Sequence, residues 1–94
     1  MKEKTIEDKL TEELARCGFL TYKFESPGTR GVPDQIAISP NGVVYFIELK
    51  RPKGGRLSAL QKYQIQKLKA NNANVRVIKN LKQIEAFIKE VQEA

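Results

Sequence analysis

Ninety-four residues, 40% of them apolar, set the scale of one small domain whose core must draw on most of the chain. The 17 Lys and Arg against 11 Asp and Glu leave a net charge of +6 and a pI near 9.6, which favours a polyanionic partner. Histidine is absent and cysteine occurs once, at Cys17, so Ser-His-Asp and Cys-His catalysis, His-ligated zinc and an internal disulfide are all excluded.

Ile6, Leu10, Leu14 and Cys17 recur at helical spacing and predict a helix over 4–17. Thr5 is the expected cap, Asp8 completes an approximate capping box, and Gly18 is the stop signal. Cys17 reads as a small core residue of that helix rather than a nucleophile. Residues 19–24 follow as a strand with partial alternation. The breakers Pro27, Gly28, Gly31 and Pro33 mark a loop that delivers Asp34 into a short strand over 35–38.

Pro40-Asn41-Gly42 is a hairpin turn signal, and 43–50 is the clearest strand. Alternation puts Val44, Phe46, Glu48 and Lys50 on one face, and Val43, Tyr45, Ile47 and Leu49 on the other. Apolar character on both faces predicts a central strand. A helix is expected from 57 to about 70, with Ser58 near its start and Leu57, Leu60, Ile65 and Leu68 as its buried stripe. Gln61 and Gln64 fall inside that stripe, and a buried glutamine needs hydrogen-bond partners. Gln61 is placed to orient a carboxylate or a water, whereas Gln64 reads as a stripe-edge residue that reaches solvent. After Asn71-Asn72, a strand over 74–79 and a last helix through Leu81, Ile84, Phe87, Ile88 and Val91 complete the chain. The order αβββαβα predicts an α/β fold over residues 1–94, with a mixed central sheet of about four strands flanked by helices. The last strand should lie parallel to the central one through a right-handed helical crossover.

The chemistry concentrates in Gly31-Val32-Pro33-Asp34 and, after thirteen intervening residues, in Glu48-Leu49-Lys50. Two carboxylates brought to one sheet edge suit a hard divalent cation, Mg²⁺ or Mn²⁺. An adjacent ammonium can orient or activate water and offset charge on a phosphate. A plain salt bridge between Glu48 and Lys50 is the bland alternative. Against it stand Asp34 at the head of the neighbouring strand and the loop Arg51-Pro52-Lys53-Gly54-Gly55-Arg56, whose cations and glycines suit a phosphate-binding lip. Arg30, Arg51, Lys53, Arg56 and Lys62 are the candidates for nucleic-acid contact, Arg30 foremost because its loop carries Asp34. Little lies outside the core to read base edges, so recognition through phosphates and shape is expected. Tyr63 reads as a packing or exposed helix residue.

With Gly31-Val32-Pro33-Asp34, Glu48-Leu49-Lys50 and Leu57-Ser58-x-x-Gln61 in that order, the chain resembles the PD-(D/E)xK nuclease superfamily and, within it, the VRR-NUC (virus-type replication-repair nuclease) family. Glu7 resembles that family's N-terminal acid. The resemblance implies a restriction-endonuclease-like core and Mg²⁺- or Mn²⁺-dependent hydrolysis of DNA phosphodiesters to a 5′-phosphate. It implies that Asp34, Glu48 and the backbone carbonyl of Leu49 hold the metal, that Lys50 positions or activates the water, and that Gln61 supports the site. Glu7 would act through water or at a second metal position.

Short stand-alone members, often from phages, are similar to Holliday-junction resolvases in forming dimers and cleaving branched DNA. The resemblance therefore implies a homodimeric endonuclease selective for branched DNA, with no small-molecule organic cofactor. A two-fold dimer would present two matched centres to two strands, and Tyr22 and Phe24 or the C-terminal helix are the exposed candidates to form it. No apolar run approaches the roughly 20 residues of a membrane span, and the charged N-terminus lacks the apolar core of a secretory signal. The expected location is the cytoplasm of a bacterium or phage-infected host. The main rival is a non-catalytic or partner-dependent nucleic-acid-binding module, against which the acids at the centre count. A purely structural protein would leave the Gly31–Asp34 loop and Gln61 unexplained.

Overall fold

In the computed structural model, which describes residues 1–94, the elements are α1 (Glu3–Arg16), β1 (Leu20–Lys23), β2 (Gln35–Ile38), β3 (Val44–Leu49), α2 (Ala59–Ala70), β4 (Asn74–Ile78) and α3 (Leu81–Glu93). The expected order is found. Thr5 does not cap α1: the helix starts two residues earlier, behind Lys2, whose side chain has no acceptor to offer. Glu3 instead places negative charge in the first turn, where the helix dipole favours it. Gly18 ends the helix in the left-handed region (φ +81°), and the Phe19 N–H returns to the Leu14 carbonyl.

The four strands pair in the order β1-β2-β3-β4. β1–β2 and β2–β3 are antiparallel, and Pro40-Asn41-Gly42 closes the second hairpin between Ser39 and Val43. β4 lies parallel to β3, with α2 as the crossover. One face of the sheet buries Ala37, Tyr45, Ile47, Leu49 and Ile78 against Ile6, Leu10 and Leu14 of α1 and Ile84 and Phe87 of α3. Burying each large aliphatic here is worth about 1.5–3 kcal/mol. Tyr45 sits edge-on to Phe87 at 5.3 Å, and Arg76 lies over the Tyr45 ring while pairing with Glu90, which fastens β4 to α3.

The opposite face is only partly covered. α2 packs over β4 and buries Ile65 there, while Leu20, Tyr22 and Val44 remain exposed beside half-buried Ile36, Ile38 and Phe46. Leu60 is also exposed, contrary to the expected stripe. The buried arc of α2 runs through Gln61, Ile65 and Leu68, and Leu60 is one residue, about 100°, outside it. Glu48 and Lys50 project from this incompletely covered face, on the side shared with Phe46.

Candidate metal and nucleic-acid site

The site forms where the C-terminal end of β3 passes between the start of β2 and the end of β4. The loop before β2 approaches α2 so closely that a Cβ on Gly31 would stand 2.7 Å from the Leu60 carbonyl carbon and oxygen. Gly31 also has φ +88°, so glycine is required there twice over. Pro33 is fully buried and anchors the loop. Continuing the β2–β3 register would set Pro33 opposite Leu49, and proline has no N–H to give. The Leu49 N–H is taken instead by Asp34 Oδ2 at 2.8 Å, while its carbonyl has no strand donor on that side. The Asp34 carbonyl accepts the Phe24 N–H at 2.8 Å, so this residue is held at both backbone and side chain.

Glu48 is 1% exposed. Its Oε2 accepts from Gln61 Nε2 at 3.2 Å and lies 3.7 Å from Lys50 Nζ, and its Oε1 is buried without a partner. Burial, above all, pushes its carboxyl up to about pH 8; the Asp34 carboxyl adds to this by accepting a hydrogen bond from the protonated form and by like charge, and Lys50 offsets part of it. A buried acid with a free oxygen, a second acid beside it and an unpaired backbone carbonyl form a set of hard oxygen donors. That set fits a divalent cation, which would relieve the repulsion between the acids.

No third acid completes a cluster of His, Cys, Asp or Glu side chains. Glu7 faces Lys4 at 3.3 Å and Lys23 at 3.9 Å, and its link to the centre runs through Lys23, whose β1 position pairs with Gln35 beside Asp34. Glu3 was not singled out in the sequence; its charge also acts on Glu48, and it lines a groove with Lys50, Arg51 and Arg56.

Gln61 is positioned by its own helix. Ser58 is the N-cap, its hydroxyl accepts the Gln61 N–H at 3.1 Å, and Gln61 Oε1 accepts the Ser58 N–H at 2.8 Å. The motif Ser58-x-x-Gln61 is therefore a capping box, a signal present in the sequence spacing. Gln64 is half-buried at the edge of the same arc.

Arg30, Arg51, Lys53, Arg56 and Lys62 are all exposed, and none is ion-paired. Arg56 and Lys62 share a groove with Lys50, and Arg51 folds back over Gly54, its guanidinium 3.5 Å from where a Cβ would stand. Arg30 and Lys53 line neither groove next to Lys50. The first of these grooves also contains Lys79 and Gln83, which sequence reading passed over.

No family model matches the chain. A solved structure described as a VRR_NUC domain superposes with a TM-score of 0.89 at 28% identity, covering 95% of this chain and 96% of that one. Over 52 residues the chain is 46% identical to the "Putative nuclease p44" of Acyrthosiphon pisum secondary endosymbiont phage 1. That match takes in 55% of this chain and 56% of the phage protein, so the chain covers about half of that relative's length.

Proposed function

The chain belongs to the VRR-NUC family, and from that premise we propose that it is an Mg²⁺- or Mn²⁺-dependent DNA endonuclease. The observation that carries this reading is buried Glu48, with an unpartnered oxygen, set beside Asp34 and flanked by Lys50 and Gln61. Asp34, Glu48 and the Leu49 carbonyl would hold the cation. When bound, the cation supplies Lewis-acid stabilisation of phosphate charge and a lowered water pKa.

The protein's own residues do the remaining work. Lys50, mostly buried and 3.7 Å from Glu48, orients the attacking water and faces the phosphate. Gln61 fixes the Glu48 carboxylate so that its free oxygen points to the centre. The water oxygen bonds to phosphorus, the bond to the 3′ oxygen breaks, and a 5′-phosphate and a 3′-hydroxyl result. Glu7 holds Lys23 and acts at the margin of this centre.

Homodimerisation and preference for branched DNA complete the proposal. The C-terminal helix spends its apolar stripe in the core, through Ile84 and Phe87 with Ile88 and Val91 against them. Phe24 is half-buried against Phe46. What remains is the bare sheet face of Leu20, Tyr22 and Val44, the surface we assign to a second copy.

The test is to incubate the protein with Mn²⁺ or Mg²⁺ and labelled linear duplex, single-stranded, flap and four-way-junction DNA, with Lys50→Ala as the contamination control. Cleavage concentrated on the junction, on opposing strands and absent in the variant, is expected. Equal cutting of linear duplex would remove the branched-DNA preference. Salt-sensitive binding without any cleavage would replace the nuclease with a binding module.

A further inference from the structure

Lys50 and Lys79 stand side by side. Leu49 pairs with Ile78 in the parallel β3–β4 ladder, and the Lys50 N–H donates to the Ile78 carbonyl at 3.0 Å. The next residue on each strand is therefore a lysine at the same sheet edge, about 4.8 Å apart strand to strand. A groove of about 420 Å³ opens there, lined by Lys50, Arg56, Lys62, Lys79 and Gln83 over Leu57 and Val77. Its cations come from four places in the chain: the end of β3, the loop after it, α2, and the β4–α3 junction.

No acid lines this groove, and Arg56, Lys62 and Lys79 have no ion-pair partner. Of the four cations that line it, Lys50 alone has an ion-pair partner, Glu48. Gathering unpaired cations in one groove costs self-repulsion, which an anionic ligand would relieve. The groove is also built. A Cβ at Gly55 would stand 2.4 Å from the Arg51 carbonyl oxygen, so only glycine lets the loop double back before Arg56. At the other wall the Lys79 N–H donates to Gln83 Oε1 and the Gln83 N–H to Asn80 Oδ1, each at 2.8 Å, which fixes the junction carrying Lys79.

We propose that this groove is a binding track for the phosphodiester backbone of a DNA strand running on from the cut bond, with Lys79 as an anchor beside Lys50. The assignment of the cut end rests on the nuclease reading above; the anion track rests on the groove itself. Because the groove begins at Lys50, which touches Glu48, a strand lying in it is continuous with the catalytic centre. Lys79 is a positioning residue: it contributes to holding substrate and not to the bond-breaking step.

The experiment is anisotropy titration of a labelled four-way junction with wild type, Lys79→Gln and Lys89→Gln, in Ca²⁺ to separate binding from turnover, across a series of salt concentrations. Lys89 is an exposed lysine of α3 that lines a separate groove with Lys9 and Glu13, and it controls for net charge. Lys79→Gln is expected to lower the slope of log K against log salt by about one, with Lys89→Gln unchanged. In Mg²⁺ or Mn²⁺, Lys79→Gln should raise KM and leave kcat close to wild type. An unchanged slope in Lys79→Gln, or an equal loss in Lys89→Gln, overturns the track. A Lys79-dependent slope in a wild type that cleaves no DNA supports the track and overturns the nuclease reading alone.

Discussion

Gln61 holds Glu48 with one end of its side chain and the start of α2 with the other. Nε2 donates to Glu48 Oε2 at 3.2 Å, while Oε1 accepts the Ser58 N–H at 2.8 Å. The crossover helix and the buried acid are thus coupled through one residue. Gln61→Ala should lose both contacts, at about 1 kcal/mol for the cap alone, and cleavage should fall with it. Gln61→Glu keeps an acceptor for the Ser58 N–H but sets a carboxylate against Glu48. It should retain most of the thermal stability and move the rising limb of the pH–rate profile to higher pH. Equal losses of Tm in the two variants would show that Gln61 acts only through packing.

The burial of Glu48 makes the metal-free protein sensitive to pH. Its carboxyl is raised from 4.5 to about 8, chiefly by burial. Below pH 4.5 both folded and unfolded chains hold the proton, and the stability this provides is fully present. Between 4.5 and 8 the unfolded chain gives the proton up while the folded chain keeps it, so stability falls as pH rises. Above about 8 the folded chain carries the buried charge as well, and the stability is lost. The effect is of the order of a few kcal/mol. Thermal melts in EDTA at pH 5 and pH 8 should show it, and Glu48→Gln should flatten the dependence and melt higher than wild type at pH 8. The same pH dependence in Glu48→Gln as in wild type would assign it to other groups.

Gly31→Ala tests the contact between the Asp34 loop and α2. Alanine at φ +88° is strained, and its Cβ would meet the Leu60 backbone at 2.7 Å, which no rotamer can relieve. A loss of about 2 kcal/mol or more is expected, with reduced cleavage because Gln61 moves with the displaced helix start. Gly28→Ala, also at positive φ but with open space around its Cβ, should cost less. Chemical denaturation of the two variants compares the contact with the backbone strain.

Much of this fold was legible because its strongest elements repeat a single period. α1, β3 and α3 each carry apolar residues at fixed spacing, and the parallel pairing of β4 followed from the helical crossover. Leu60 lies outside the buried arc, which helical spacing does not reveal: spacing shows which residues share a face but not how a helix is rotated on its sheet. Here the Ser58–Gln61 box and the Gln61–Glu48 bond set that rotation. Lys79 carried a signal that needed one more step. Once β4 is parallel to β3 with Ile78 opposite Leu49, the residue after Ile78 stands beside Lys50. Glu3 carried none, because its approach to the centre depends on the angle of α1 across the sheet.

The bare sheet face predicts how the chain associates. Tyr22 is 56% exposed on β1, among Leu20 and Val44, and substitution there touches neither acid. Tyr22→Lys should convert a dimer to a monomer in sedimentation while leaving the Tm of a dilute sample within a few degrees of wild type. Opposing-strand cuts on a junction should then become independent nicks. A wild type that sediments as a monomer would remove this surface from the account.

Metal binding separates the roles of Asp34 and Lys50. A ligand that binds only the folded chain stabilises it by RT ln(1 + [L]/Kd), about 2.7 kcal/mol at a hundredfold excess over Kd. Mn²⁺ should therefore raise the Tm of wild type, and by more at pH 8 than at pH 6, because binding must displace the proton that Glu48 still holds below pH 8. Asp34→Asn removes a charge and should abolish most of this shift together with cleavage. Lys50→Ala leaves the oxygen donors in place and removes a cation 3.7 Å from Glu48, so the shift should persist or grow while turnover is lost. If Lys50→Ala abolished the Mn²⁺ shift, lysine would be needed to assemble the centre, and its assignment to the water and the phosphate would fail.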